Sequence, residues 1–203
     1  MKRQKVLVIG SGGTIGKDVA MYLSQRHEVV TAGRNSGSVR VDIADNDSIE
    51  KLFEDVKEID AVICAAGEAK WERFEDLSED DYYIGIRSKL MGQVNLVRIG
   101  ARHLNDNGSF TLTTGILAED PVVKTASAAM VNGALHSFVR AVSLELERGL
   151  RINAVASGLV ENSEEDYRDF FPGHNPVPMK RMVNGYVRSV EGRRSGEIIR
   201  VYA

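Results

Sequence analysis

A single cysteine, Cys64, leaves this chain unable to form an internal disulfide. It sits in the apolar run Ala61-Val62-Ile63-Cys64-Ala65-Ala66, where a thiol reads as core rather than nucleophile. No basic stripe is present: 26 Lys and Arg are dispersed among 29 Asp and Glu, for a net charge of −3. That balance excludes nucleic acid and an acidic membrane surface as partners. The longest apolar runs are strand-sized, far short of a membrane span. After the basic start Met1-Lys2-Arg3-Gln4-Lys5, the apolar run before the first glycine is too short for the core of a signal peptide, so a cytoplasmic location is expected. The 4 histidines are scattered without metal-ligand spacing, and no metal site is expected. Nor does any repeat, low-complexity stretch or linker-like shift divide the chain. What remains is one α/β domain spanning 1–203.

The most telling segment is Val6-Leu7-Val8-Ile9-Gly10-Ser11-Gly12-Gly13-Thr14-Ile15-Gly16. A strand-forming run enters a glycine-rich turn, and a helical pattern follows through Val19, Ala20 and Leu23. Such a turn aims backbone N–H groups and the positive end of a helix dipole at an anion. Glycine lets the backbone approach a pyrophosphate where a side chain would collide. Glycine-rich turns also serve as plain connections; the β–turn–α context is what makes this one a phosphate site.

Strand and helix signals alternate along the whole chain. The runs Lys5–Ile9, Glu28–Ala32, Ala61–Ala65, Ser109–Thr113, Arg151–Ala156 and Glu197–Tyr202 read as strands, with a shorter one at Val39–Ile43. Helical periodicity covers Ile15–Arg26, Asp47–Val56, Glu79–Leu104, Ser127–Glu147 and Met179–Val190. This order predicts a Rossmann-type doubly wound parallel sheet with helices on both faces. One connection departs from the pattern. Only Gly33 to Ser38 separate two strands, too few for a crossover helix, so a shortened second crossover and a frayed edge strand are expected.

Several segments together resemble the short-chain dehydrogenase/reductase superfamily, over nearly the whole chain. The family's first turn reads Thr-Gly-x-x-x-Gly-Ile-Gly; Gly10, Ile15 and Gly16 match, while Ile9 and Thr14 replace the leading Thr and the middle Gly. Cys64-Ala65-Ala66-Gly67 is similar to the family's Asn-Asn-Ala-Gly, which passes beside the cofactor's adenosine half. Arg151-Ile152-Asn153-Ala154-Val155, followed by Ser157-Gly158, is similar to Arg-Val-Asn-x-Val-x-Pro-Gly. The resemblance implies a nicotinamide dinucleotide held by Gly10, Ser11, Gly12, Gly13, Thr14, Ile15, Gly16, Ala65, Ala66, Gly67, Gly158 and Val160. At the second strand's end, Arg34, Asn35 and Ser36 stand where the adenosine ribose should lie, and no carboxylate is there to repel a 2′-phosphate. A guanidinium fork suits that phosphate, which favours NADP over NAD; the same arginine also suits a plain surface turn. Asp42 and Ile43 match the family's adenine-side pair, and Asp42 equally suits a turn or helix cap.

The family's Tyr-x-x-x-Lys pair is missing. Its i,i+4 spacing puts both side chains on one helix face, where the ammonium lowers the tyrosine pKa and the tyrosine exchanges a proton with substrate. Aligned from Phe138-Val139-Arg140-Ala141-Val142-Ser143-Leu144-Glu145-Leu146, the tyrosine position falls on Ala128 and the lysine position on Asn132. Counting back from Gly92 puts Lys89 where the family carries an asparagine. The Asn/Lys pair thus reads as exchanged, with Lys89 supplying the ammonium near the nicotinamide ribose from the opposite helix. A solvated helix lysine is the other reading. Thr113 or Thr114, the latter preferred, is the hydroxyl candidate for the substrate carbonyl, though threonines commonly end strands. His136, one turn beyond Asn132, should point away from the cleft.

The segment 161–178, acidic and then rich in Pro, Gly and aromatics, falls where the family places a substrate-covering lid. Within it Asn162 replaces a threonine that contacts the carboxamide, and Tyr167 could reach a substrate. The expectation is an NADP-dependent oxidoreductase of a small carbonyl or alcohol with altered catalytic residues Lys89, Thr114 and Asn132. The alternative is a non-catalytic NADP-binding sensor or interaction protein. By analogy, the helices near 79–104 and 127–147 imply a homodimer or homotetramer.

Overall fold

The computed structural model describes residues 3–202. Strand β1 (Lys5–Ile9) alternates cleanly: Val6 and Val8 face one side of the sheet, Leu7 and Ile9 the other, and all four are fully enclosed. Burial on both faces is what parallel strands under two helix layers require, and it explains their near-continuous apolar sequence. The turn after β1 leads into α1 (Thr14–Leu23), then β2 (Glu28–Gly33) and a two-residue β3 (Val39–Arg40). Helix α2 (Asn46–Asp55) follows, its N-terminus capped where the Asp45 carboxylate accepts from the Asp47 N–H at 3.0 Å. Next come β4 (Ile59–Cys64), α3 (Glu79–Gly85), a π-helical turn (Ile86–Met91) and α4 (Gly92–Gly100). The chain continues through β5 (Leu104–Gly115), α5 (Ala126–Val142), β6 (Arg151–Ser157), the short α6 (Glu164–Tyr167), α7 (Met179–Glu191) and β7 (Ile198–Val201).

All seven strands pair in parallel, in the order β3-β2-β1-β4-β5-β6-β7. On one face, α2, α4 and α5 bury Ile49, Leu52, Phe53, Leu96, Ile99, Leu135 and Val139 against Leu7, Val62, Phe110 and Ile152. On the other, α1 and α7 bury Val19, Leu23, Met182, Tyr186 and Val190 against Val6, Val8, Ile63 and Val155. The strand order reverses at β1/β4, and there a crevice opens beyond the strands' carboxyl ends.

The short connection between β2 and β3 holds as expected. The chain doubles back on itself: the Ser38 N–H and Oγ both donate to Thr31 O at 2.9 Å. Only Ala32↔Val39 and Gly33↔Arg40 pair, so β3 ends well before the expected Ile43. Val41 and Ile43 are buried beyond the strand instead. Two helices differ from expectation. The run expected as Glu79–Leu104 is broken by the π turn and stops at Gly100, because Leu104 pairs with Ile59 as the start of β5. The run expected to Glu147 ends at Val142, where tight turns take over and leave Leu144 exposed. No helix among the described residues is long and apolar enough to cross a membrane.

Candidate active site

Two neighbouring cavities occupy the crevice. The first, about 420 Å³, is lined by Gly10, Gly12, Gly13, Gly33, Arg34, Asn35, Ser36, Asp42, Ile43, Ala66 and Gly67. The second, about 390 Å³, contains Lys89, Asn132, Ala128, Ser157, Gly158 and Val160. Gly67 and Glu68 line both.

The floor of the first cavity is set by close backbone contacts. A Cβ on Gly16 would lie 2.2 Å from Gly10 O, so only glycine lets α1 start this near the turn. The first-turn N–H groups of α1 precede the earliest bond back to the turn, Lys17 N–H to Gly13 O at 3.1 Å, and no side chain caps them. They are unspent donors at a positive helix end. Ser11 leans away, its Oγ 3.4 Å from Ala32 O, and Ser11, Thr14, Ile15, Gly16 and Ala65 shape the turn without lining the cavity. Ser36 folds over the turn so tightly that a Cβ on Gly12 would meet its Oγ at 2.3 Å. Asp42 Oδ1 accepts from the Ala44 N–H at 3.0 Å, leaving its other oxygen without a protein donor, and Ile43 is buried beside it. Arg34 is exposed, and its guanidinium stands 4.0 Å from the Glu68 carboxylate across the cavity. Sequence reasoning missed Glu68, since nothing in β4 or its turn announces that residue.

The second cavity brings Lys89 and Asn132 together from different elements. Lys89 lies in the π turn, a break that commonly marks a functional position. Gly67, at φ +115°, packs directly on it: a Cβ there would lie 2.7 Å from Lys89 Cα. Ser88, one residue earlier, accepts the Glu68 N–H at 3.2 Å and ties the same turn to the loop after β4. Lys89 is half-buried, and burial pushes its ammonium down from 10.5 to about 8, opposed only weakly by nearby Cys64. Asn132, on α5, is buried, and its Oδ1 has no protein partner. An unpaired buried carbonyl costs about 1–3 kcal/mol, which marks the position as one awaiting a donor. Gly115, at the end of β5, leaves room for the Asn132 amide: a Cβ there would sit 3.5 Å from Nδ2. Ala128 lines the same wall with only its methyl group. Gly158 reaches the cavity from the end of β6, its N–H bonded to Val201 O at 2.9 Å, and Val160 is held beside it by a bridge to Val177.

Thr114 needs correction. It is absent from the lining of the second cavity, and its Oγ1 lies 2.8 Å from His136 Nε2. Strand alternation turns its side chain towards α5, while neighbouring Thr113 turns to the opposite face. There the Thr113 hydroxyl donates to Cys64 O at 2.6 Å and meets the Tyr186 hydroxyl at 2.8 Å. Neither threonine is free for a ligand. His136 is buried and lowered in pKa by that burial, its other nitrogen 3.7 Å from Glu119. Cys64 is fully enclosed, and burial raises its thiol to about 12, so it is an inert core residue.

The segment 161–178 lies over the second cavity. Tyr167 and Phe171 line it, and both rings approach Trp71 from the loop after β4, at 5.2 and 6.4 Å between centroids. Sequence reasoning did not single out Trp71; as the only tryptophan, just beyond a β4 turn assigned to the cofactor, it carried an available signal. Among the described residues, no cluster of three His, Cys, Asp or Glu could hold a metal.

Comparison with known proteins fits this geometry. A family model described as enoyl-(acyl carrier protein) reductase matches residues 16–184. Versicolorin reductase stcU of Emericella nidulans is 27% identical over 180 residues, covering 76% of this chain and 68% of that protein. The structure of the protein lin1944 from Listeria innocua superposes with a TM-score of 0.96 at 45% identity, covering 98% of this chain and 100% of that one. A small-chain dehydrogenase solved in complex with NADPH superposes at 0.87 with 27% identity, covering 99% and 97%. A parallel seven-stranded sheet, a glycine-turn crevice and a family match over most of the chain agree, and the chain belongs to the short-chain dehydrogenase/reductase superfamily.

Proposed function

We propose that the chain is an NADP-dependent oxidoreductase of a small carbonyl or alcohol that works without the family's Tyr-x-x-x-Lys pair. The carrying observation is that Lys89 and Asn132 line one cavity together with Ala128, adjoining the glycine-turn cavity. The reading aligns Ala128 with the family tyrosine, and a methyl group cannot move a proton. It assigns the ammonium to Lys89 and the amide to Asn132, an exchange between facing elements.

The residues present fit a dinucleotide. Free N–H groups of the turn and of α1 would hold the pyrophosphate, with Ser11, Thr14, Ile15, Gly16 and Ala65 keeping that backbone in place. Asp42 would accept from the adenine amine while Ile43 packs on the ring. Arg34 would pair with a 2′-phosphate, aided by Asn35 and the Ser36 hydroxyl, which is the reason for preferring NADP. Ala66, Gly67, Gly158 and Val160 would line the path to the nicotinamide. The cofactor, when bound, supplies or accepts a hydride at the substrate carbon. Lys89 would hold a proton at Nζ for the substrate oxygen, and its lowered pKa would let it give and regain that proton near neutral pH. Asn132 Oδ1, which has no protein partner, would accept from a ribose hydroxyl of the bound cofactor. The segment 161–178 acts as a lid within a single domain, excluding water. Exposed Ile84, Met91 and Met130 on α3–α5 support a homo-oligomer, and a cytoplasmic location remains part of the reading.

Ala128 also favours a second reading, a sensor that binds NADP without turning over. NADPH oxidation across a panel of small carbonyls decides between them. The enzyme reading expects turnover that falls at least about a hundredfold in Lys89→Ala. Tight NADPH binding with no turnover on any carbonyl would favour the sensor. The triple variant Ala128→Tyr, Asn132→Lys, Lys89→Asn should recover generic carbonyl reduction if the exchange is correctly assigned.

A further inference from the structure

The second cavity is unevenly furnished. Lys89, Asn132 and Glu68 give it a polar wall, and Gly67 and Glu68 are shared with the first cavity. Much of the rest is apolar, and three of its residues are aromatic: Trp71, Tyr167 and Phe171. These rings come from two segments far apart in the chain, the loop after β4 and the segment 161–178. Trp71 lies tilted at 56° to Tyr167 and 49° to Phe171, and at 82° to Phe170 behind them. None of the three pairs is stacked face to face, and both Trp71 and Tyr167 stay partly open to solvent. Open π faces around a small space suit a flat ring, which gains from tilted and offset aromatic contacts that a saturated ring of equal size cannot make. The Lys89 ammonium in the same cavity opposes a cation, and Glu68, the carboxylate on the lining, faces the Arg34 guanidinium at 4.0 Å. At about 390 Å³ the space lies near the small end of ligand pockets, which span about 300–1,000 Å³.

We propose that this cavity takes a flat carbonyl compound of one or two fused rings, its carbonyl at Lys89 and Asn132 and an aromatic ring against Trp71, Tyr167 and Phe171. The proposal rests on the oxidoreductase reading above and goes further by naming the substrate class. It makes the lid a specificity element: the aromatic side chains of 161–178 select the ring, while the polar wall orients the carbonyl.

A matched pair of ketones tests it. 2-Tetralone and 2-decalone share a bicyclic skeleton and a carbonyl position but differ in one ring's aromaticity. Calorimetric titration into NADP⁺-saturated protein measures binding with no turnover. 2-Tetralone is expected to bind at least about tenfold tighter than 2-decalone, the sum of more than one aromatic contact. Trp71→Leu and Tyr167→Leu should each narrow that preference to about twofold, with circular dichroism unchanged. Tyr167 is partly exposed on the lid, so its replacement leaves the core intact and keeps the test decisive should Trp71→Leu misfold. Equal affinity for the two ketones, or a preference that survives both substitutions, overturns the proposal. If NADP⁺ saturates the protein and the ketones are not distinguished, the substrate class alone fails. If NADP⁺ does not bind, the cofactor reading fails and the proposal with it.

Discussion

Replacing Lys89 by methionine should stabilise the protein while weakening its cofactor site. The side chain lies half-buried against Gly67, and among the described residues its ammonium has no hydrogen-bond or salt-bridge partner. Burial moves its pKa from 10.5 to about 8. At about 1.4 kcal/mol per unit, folding the charged form costs up to about 3 kcal/mol near pH 7. The sign follows from proton counts. Between about 8 and 10.5 the unfolded chain binds more protons at this site than the native one, so native stability rises with pH there. Below about 8 both states are protonated and the full penalty stands. Methionine keeps the apolar stem and removes the charge, so Lys89→Met should gain about 1–3 kcal/mol at pH 7. That gain should fall to about half by pH 9.5 and vanish above pH ~10.5. Urea denaturation of both proteins at pH 7.0, 8.5 and 9.5 measures the difference, and other titrations cancel in it. A pH-independent difference, or a loss of stability at pH 7, would refute the claim that a strained, unpaired ammonium is kept for a ligand.

Other substitutions probe separate parts of the site. Arg34→Ala should weaken NADPH binding about tenfold or more and leave NADH affinity within about twofold, by calorimetry. Gly67→Ala combines a left-handed backbone at φ +115° with a Cβ 2.7 Å from Lys89 Cα, and should lose about 1–3 kcal/mol in thermal or urea unfolding. Thr114→Val leaves His136 Nε2 without its 2.8 Å partner in a buried setting and should cost about 1–3 kcal/mol of stability.

The fold was legible because its cues are local. Alternating apolar strands and helical faces gave the order of elements, and the spacing of Gly33 to Ser38 announced the missing crossover. The glycine turn was legible for the same reason, since β1, the glycines and α1 are contiguous. The chemistry depends on long-range placement and was read less well. Periodicity runs smoothly through 79–104, so it could not show the π turn at Ile86–Met91 that carries Lys89. Two adjacent threonines look alike in sequence, yet strand alternation sends Thr113 and Thr114 to opposite faces and spends both hydroxyls on protein partners. Glu68 and Trp71 enter the site only because the loop after β4 folds back over two cavities and meets the segment 161–178.

The central claim is that the crevice between the glycine turn, Arg34 and Lys89 holds a phosphorylated nicotinamide dinucleotide. Parallel calorimetric titrations with NADPH and NADH test it most directly. NADPH is predicted to bind at least about tenfold tighter than NADH, with the preference erased by Arg34→Ala and binding weakened by Lys89→Ala. Absence of binding by either dinucleotide, or an NADPH affinity unchanged in Lys89→Ala, would contradict it.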